Sequence, residues 1–579
     1  MKKILFFMIL TLLTLSMANA QGASFRNIAL GKIVDDDLDL VKDPIELKFV
    51  EGSRLYTNLS NIINSNEQVL ANNSSDTFLI GYSTKNPFLE NLWNSVFIEF
   101  QKTKTPYTVW IDSDLDGDND VSGWGLLSDE FTGYYDITGD DIYDIIRQIS
   151  QERSDYDEVN QVEFALNNTY DTGNFVIGAK IRYNSYSSDE DIAYDMNYIY
   201  HDIVEDFDDY TANQLDDSSN HYLNSFFDFQ TSILLPDFRG YEVRGDFIFM
   251  HQNYSYDQQI DDYYREDYFD QDIPILEDFN IEESENKNIL ENPGNAFTLG
   301  TSVRKTLVKA AQRKNDGYWK IGGDITFGSN DYSVLSETIQ TDTEKYFDGL
   351  DTLFTDYLET DTENSLMKDD GTQKRTQFSL NGKINYPFNE KVYFGLGFNY
   401  NYQIIIRETD FEESFENIYD YEILDEESTA ADYIVTESYS ITADRTFEQY
   451  TSNFYLPVGI EYKFTNNNKW DIRFGSVFSS ICSTINDAKE IKDVSPITTE
   501  TTYGDGSVDV EIEDNTYDST SMQRNSTNSS TNYYYGLGFR PTDNLQIDLL
   551  GFLGGVGDEN DLLNADFYKQ LRLSFTLKF

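Results

Sequence analysis

The chain is short of the residues that build most catalytic and stapled sites. One cysteine, Cys482, occurs in 579 residues, so an internal disulfide cannot form and a disulfide-stapled fold is excluded. Histidine is limited to His201, His221 and His251. Zinc centres need clustered His or Cys, and these are scattered. Basic residues are in deficit: 42 Lys and Arg stand against 103 Asp and Glu, a net charge of -61. Repulsion of that size excludes nucleic acid as a partner. Beyond residue 20 no long apolar run occurs, so no helical membrane span is expected.

What the chain has in excess is aromatic. Tyr and Phe number 42 and 40, which contradicts the disorder that so acidic a composition would otherwise imply. Cys482 reads as structural or incidental. At the start, Lys2 and Lys3 precede an apolar stretch from Ile4 to Leu15 and the small-x-small site Ala18-Asn19-Ala20. That order predicts a secretory signal peptide over residues 1–20. No cysteine follows the site, so no lipoprotein anchor is expected. At the end, Leu571, Leu573, Phe575, Leu577 and Phe579 alternate with Arg572, Ser574, Thr576 and Lys578, a period-2 strand with one apolar face. This terminal strand closing on Phe resembles the one that bacterial outer-membrane barrels present to their assembly machinery.

The interior repeats one theme, an amphipathic strand, a short turn and a second strand. Phe378, Leu380, Gly382, Ile384 and Tyr386 share a face opposed by Gln377, Ser379, Asn381, Lys383 and Asn385. After Pro387 to Glu390, alternation resumes from Val392 to Tyr402. Similar hairpins fold around Asn86-Pro87, Asp171 to Gly173, Pro236 to Gly240, Lys314 to Gly317, Asn466 to Asn468 and Pro541 to Asn544. Fifteen candidate strands result, and bacterial barrels carry even numbers. Either a further strand lies between Ile45 and Leu70, or one candidate is false. Between hairpins run long acidic segments, such as Ser187 to Asn220, Glu337 to Thr372 and Glu408 to Thr446. Short turns on one side and long segments on the other predict an antiparallel transmembrane β-barrel of roughly 14–16 strands. Its turns would be periplasmic and its long acidic loops extracellular. The chain would divide into residues 1–20, a periplasmic or hatch segment 21–72, and a barrel 73–579.

Charged residues on the polar strand faces should point inward, because a lipid-facing Lys or Arg costs about 2–4 kcal/mol at mid-bilayer. Lys180, Arg182, Arg244, Asp324, Lys383, Glu461, Lys463, Arg473, Arg540 and Arg572 are therefore expected to line the lumen. Two readings stay open, ion pairing that fills the lumen and a charged pore lining. Gly395, Gly397, Gly536 and Gly538 sit on lumen faces, where small residues let neighbouring groups fit.

The sharpest local motif is Asp112, Asp114, Asp116, Gly117, Asp118 and Asp120. Oxygen ligands at positions 1, 3, 5 and 9 with Gly at 6 follow calcium-loop spacing, and Gly123 stands where the bidentate acid would be. The core resembles the calcium loops of dockerin or thrombospondin-type repeats. Ca²⁺ is the cofactor this implies, and none is otherwise required. Enzyme signals are poor. Omptin-type proteases and outer-membrane phospholipases set a His near a carboxylate or Ser at strand ends, and His221 and His251 could flank the ends of neighbouring strands. No enzyme is expected.

In scale, with a segment from Ala29 to Ile63 available as a hatch, the chain resembles outer-membrane long-chain fatty-acid transporters, without their Asn-Pro-Ala signature. TonB-dependent transporters have a longer plug and about 22 strands. The expected role is a porin-like channel or transporter for a small solute in the cell outer membrane. The alternative is a non-transporting surface barrel whose acidic loops bind cations or mediate adhesion. Outer-membrane lipid and the barrel assembly machinery are the implied partners, and self-association into an oligomer is left open.

Overall fold

The computed structural model describes residues 25–31, 33, 36–59, 77–106, 108–111, 121–124, 126–135, 145–202, 209–269, 278–310, 313–346, 357–424, 432–464, 469–542, 544–553 and 572–578. Two short helices, α1 (Phe25–Ala29) and α2 (Asp37–Lys42), and a 3-10 turn (Glu46–Phe49) precede the strands. Then come β1 (Arg54–Leu59), β2 (Thr77–Lys85), β3 (Leu92–Pro106), β4 (Thr108–Ile111), β5 (Val121–Trp124), β6 (Leu126–Tyr135), β7 (Ile145–Asp171) and β8 (Val176–Asp202). Next are β9 (Asp209–Phe238), β10 (Tyr241–Phe269), β11 (Asp278–Glu291), β12 (Gly294–Val308), β13 (Gly317–Tyr346), β14 (Tyr357–Pro387), β15 (Val392–Ile423) and β16 (Tyr433–Lys463). The last are β17 (Trp470–Val494), β18 (Ile497–Tyr503), β19 (Val508–Glu513), β20 (Thr520–Thr542), β21 (Leu545–Leu553) and β22 (Arg572–Lys578).

Twenty of these strands form one antiparallel sheet, and β4 pairs with β5 apart from it. The sheet closes: β22 pairs with β1 from Arg54↔Lys578 to Leu59↔Leu573. Strands β6, β11, β18 and β19 lie beside or beyond the ends of others, leaving sixteen positions in the ring. β1 is the further strand expected between Ile45 and Leu70, and it begins the ring inside the segment 21–72. Among the described residues three ring positions change strand at proline, which lacks a ladder donor. β7 pairs with β3 up to Pro106 and then with β6. β10 pairs with β12 and then β11 across Asn292-Pro293. β16 pairs with β17 and then β18 across Ser495-Pro496.

Short turns close one end. Arg239 and Gly240 both adopt positive φ, 58° and 81°, the two-residue geometry whose twist matches flanking strands. The expected alternation holds: on β14 Phe378, Leu380 and Ile384 are exposed while Ser379 and Asn385 are buried inward. The outward face near the short turns is apolar around the ring, with Phe474 58%, Leu299 55% and Phe327 50% exposed. On β13 the outward row Trp319, Ile321, Ile325 and Phe327 gives way to Ser329, Asp331 and Ser333. Aromatic rings crowd the short-turn rim, among them Trp470 stacked 4.1 Å from Phe539 and Tyr386 edge-on to Phe388.

The acidic segments read as loops are largely strand. β13, β14, β15 and β16 run 30, 31, 32 and 31 residues, about 100 Å each when extended. Segment Glu337–Thr372, for instance, pairs across β13 and β14 from Glu337↔Leu366 to Tyr346↔Tyr357. Backbone pairing satisfies the ladder whatever the side chains are, so strands continue beyond the apolar belt without apolar alternation. Among the described residues no helix is long and apolar enough to cross a membrane.

Candidate functional site

The lumen at the short-turn end holds the described residues between Phe25 and Val50. Their apolar positions are spaced to bury: Leu38, Leu40, Val41, Leu47 and Val50 pack on Tyr56, Leu79, Phe97 and Ala165 of the wall. Helix α2 starts where Asp39 accepts a hydrogen bond from the Asp36 N–H at 2.9 Å, satisfying a donor that a helix N-terminus leaves orphaned. Its far end is fixed by the wall. Ser95 and Asn167 both donate to the Val41 carbonyl, at 2.7 and 3.2 Å. Thr169 donates to the Pro44 carbonyl.

The opposite side of the segment lies on glycines. A Cβ on Gly475 would stand 2.6 Å from Leu30 C, and one on Gly536 would stand 2.7 Å from Ala29 Cβ. Real carbon contacts do not approach so closely, so these wall positions admit the segment's backbone because they lack side chains. Gly459 and Gly178 meet Leu30 and Pro44 in the same way. The lumen glycines noted in the sequence thus make room for residues from the start of the chain as well as for wall side chains. Gly538 serves the latter, facing the Arg473 guanidinium.

Ion pairs lock the segment to the wall on three sides. Arg26 reaches Glu461 at 2.8 Å, and Glu461 also accepts from Arg473 at 2.9 Å. Arg473, 0% exposed, continues to Asp548 at 2.5 Å and Asp471 at 3.1 Å, and Arg540 joins Asp471. On a second side Arg313 binds Glu46 and Glu242, while Lys314 binds Asp36 and Asp37 at 3.3 and 3.0 Å. On a third, Lys42 meets Glu99 at 2.9 Å and Asp43 meets Arg244 at 2.6 Å. Such pairs are held in low dielectric, where each charge needs its partner.

Burial alone would raise the Asp36 carboxyl, but Lys314 and Arg26 reverse this and hold it well below the usual carboxylate range. Burial likewise acts to raise Glu46, and Arg313 lowers it to the same region. A depressed folded pKa contributes stability above the unfolded value, near 4, and loses it as pH falls through the folded value. Docking of residues 25–50 should therefore persist from neutral pH to about pH 4 and fail only in stronger acid. Protease protection of this segment across a pH series checks it. Release beginning near pH 6 would contradict the assignment.

Above the segment lies a lumen cavity of about 630 Å³, within the range of small-ligand sites. Gly31 and Ile33 form its floor, and Asn381, Lys383, Asn399, Tyr455, Ser479, Asn532 and Tyr534 stand in its walls. Its lining is rich in amides and phenols, groups that both donate and accept.

The sequence-predicted lumen residues are distributed around this arrangement. Arg473, Glu461 and Arg540 meet in one network. Arg182 pairs with Asp228 and Glu163, and Arg244 with Asp43 and Asp246. Lys180 donates to the Lys42 carbonyl at 3.4 Å, and Lys383 lies 5.7 Å from the Tyr318 ring. Asp324 faces Gly300 across the ladder. Lys463 is half-buried beside the Arg473 network. The Arg572 side chain and Asp112 to Asp120 lie outside the described residues. Among the described residues no cluster of three His, Cys, Asp or Glu could hold a metal.

His221 and His251 occupy neighbouring strands but are not brought together. The first pairs with Asp189 and the second with Asn295 at 3.0 Å, and the His201 side chain is outside the described residues. Cys482 is exposed and lies within β17. The sequence reading missed Arg26, Asp36, Lys42, Asp43 and Glu46, whose partners lie far away in the chain. Its available signal was the basic turn Arg313-Lys314 opposite an acidic N-terminal stretch.

No family model matches the chain, and no curated relative matches it. Among solved structures it is similar to the outer membrane transporter YddB from Escherichia coli, at 8% identity over 98% of this chain and 88% of that one, with a TM-score of 0.24. It is also similar to FpvA of P. aeruginosa bound to heterologous pyoverdines, at 10% identity over 91% and 71%, TM-score 0.20. A third is the ferric yersiniabactin uptake receptor FyuA from Yersinia pestis, at 10% identity over 91% and 80%, TM-score 0.19. At these scores the superposition is loose, and neither strand number nor substrate carries across.

Proposed function

We propose that the chain is an outer-membrane β-barrel that passes a small solute, with residues 25–50 as a plug that must shift to open it. The observation that carries this reading is the lumen itself. A sixteen-stranded ring encloses more space than its own side chains fill, and here a separate segment, held by ion pairs and glycine-faced contacts, occupies it. The outward apolar belt supports the membrane setting. A tilted transmembrane strand needs about 9–11 residues, close to the stretch from Trp319 to Phe327. Lipid would cover this face, and the rim aromatics would sit at the headgroup level.

Solute flux into proteoliposomes tests the reading. The full chain should pass small solutes slowly, and a chain lacking residues 25–50 should pass them freely. Flux equal to empty liposomes in both would overturn it.

A surface-binding role has one observation in its favour. Beyond the belt, the outward row of β15 carries Glu408, Asp410, Glu412, Glu416 and Asp420, with Asp410 81% exposed on its side chain. This acidic wall would concentrate cations. Calcium-dependent cell adhesion without solute flux would favour that role.

A further inference from the structure

In a chain with 103 carboxylates, an inward arginine without one is conspicuous. Three arginines step across neighbouring strands on the inner face above the cavity. Arg375 on β14 stands opposite Ile405, Arg407 on β15 opposite Phe447, and Arg445 on β16 opposite Thr409. Arg445 is fully engaged, with Asp487 at 2.7 Å and Asp369 at 3.0 Å. The other two have no carboxylate at ion-pair distance among the described residues. Arg375 gives one hydrogen bond, from Nη2 to Gln377 at 2.6 Å, and its buried Nε has no partner. Arg407 lies 3.8 Å from the Tyr332 ring centroid and 4.6 Å from that of Phe447, and its buried Nε is also unpartnered.

Ring stacking orients a guanidinium while leaving its N–H edge able to donate. Arg375 and Arg407 are diagonal neighbours, since Arg407 pairs with Gln373. Such positions lie about 7–8 Å apart at Cα, within reach of one ligand for side chains this long. The surrounding inward residues include the amides Gln373, Gln377 and Gln403 beside Ile405, Tyr332 and Phe447, and the amides suit hydroxyl groups.

We propose that Arg375 and Arg407 form a carboxylate-binding subsite in the lumen, for an anionic, hydroxyl-rich solute of the sugar-acid class. The paired guanidinium edges hold the carboxylate and the amides take the hydroxyls. An acidic tube repels anions, so a pair of uncompensated arginines creates the local attraction that such a solute needs. The subsite deepens the transport reading, but its binding chemistry is independent of flux.

Equilibrium dialysis of the purified full chain in detergent, with labelled galacturonate, galactose or sulfate, tests it. Galacturonate should bind saturably and more tightly than galactose. Arg375→Gln and Arg407→Gln should each weaken it about ten-fold, while Lys374→Gln on the outer face should not. Heat-modifiable gel mobility verifies that each variant is folded. Unchanged galacturonate binding in the folded double variant would overturn the proposal. So would equal binding of galactose, or binding of sulfate with none of galacturonate. Binding without flux in proteoliposomes would defeat the transport reading and leave the subsite standing.

Discussion

Replacing Arg473 by alanine should lower the stability of the folded barrel by about 3–5 kcal/mol, the usual loss when one partner of a buried ion network is removed. Arg473 is fully buried and donates to Glu461, Asp471 and Asp548. After its removal Glu461 keeps Arg26 and Asp471 keeps Arg540. Among the described residues Asp548 keeps one neutral donor, Gln546 at 2.6 Å. Most of the loss therefore falls on Asp548, a buried carboxylate that loses Arg473, its basic partner among the described residues. Adding Asp548→Asn to the variant should recover a large part, because the stranded charge is gone. Lys374→Ala, whose exposed pair with Glu408 spans 3.5 Å, should change stability by less than about 1 kcal/mol. Denaturant midpoints read by heat-modifiable mobility check the series. An Arg473→Ala midpoint indistinguishable from that of Lys374→Ala would show that the network does not hold the base of the barrel.

The second large effect concerns the glycine-faced side of the plug. Gly475→Phe would put a side chain where Gly31 N and Leu30 C now lie. The ring wall is fixed by continuous ladders to β16 and β20, whereas the plug is held by side-chain contacts. The plug should give way. Steady conductance in planar bilayers should then rise from near background to the level of an open sixteen-stranded pore, and residues 25–50 should become protease-sensitive. Gly245→Phe on the outer face is the control, since a Cβ there would meet only Ile233 at 3.7 Å, an ordinary contact. Unaltered conductance and protection in folded Gly475→Phe would place the plug elsewhere.

Much of the barrel is legible in the sequence because lipid and lumen demand opposite side chains on alternate residues. The row Phe378 to Tyr386 and the face opposing it read out directly as outward and inward. β1 is harder to see. It has only six residues, and Tyr56, 2% exposed, faces the plug while Leu55 faces outward. With apolar groups on both faces the alternation is blurred. Above the belt, stretches such as Thr360-Asp361-Thr362-Glu363 give no period-2 signal, although each residue pairs on both sides. Water on the outer face removes the demand for apolar residues while backbone pairing remains.

Residues 25–50 fall within a segment of hatch size, and Gly397 and Gly536 are legible as lumen positions. Their meeting is not, because Arg26 and Glu461 are 435 residues apart. The charge sorting is also finer than expected. The lumen holds acids such as Glu99, Asp471 and Asp548 at full burial, each beside a base. Ion pairs crowd the base, and Arg375 and Arg407, with no carboxylate at ion-pair distance among the described residues, lie above it.

Single-channel recording of the full chain beside one lacking residues 25–50 tests the central claim, that a movable N-terminal segment closes a lumen otherwise wide enough to conduct. The full chain should show rare, brief openings near background, and the shortened chain should show large, stable, ohmic steps. Equal conductance from the two, whether high or absent, would contradict it.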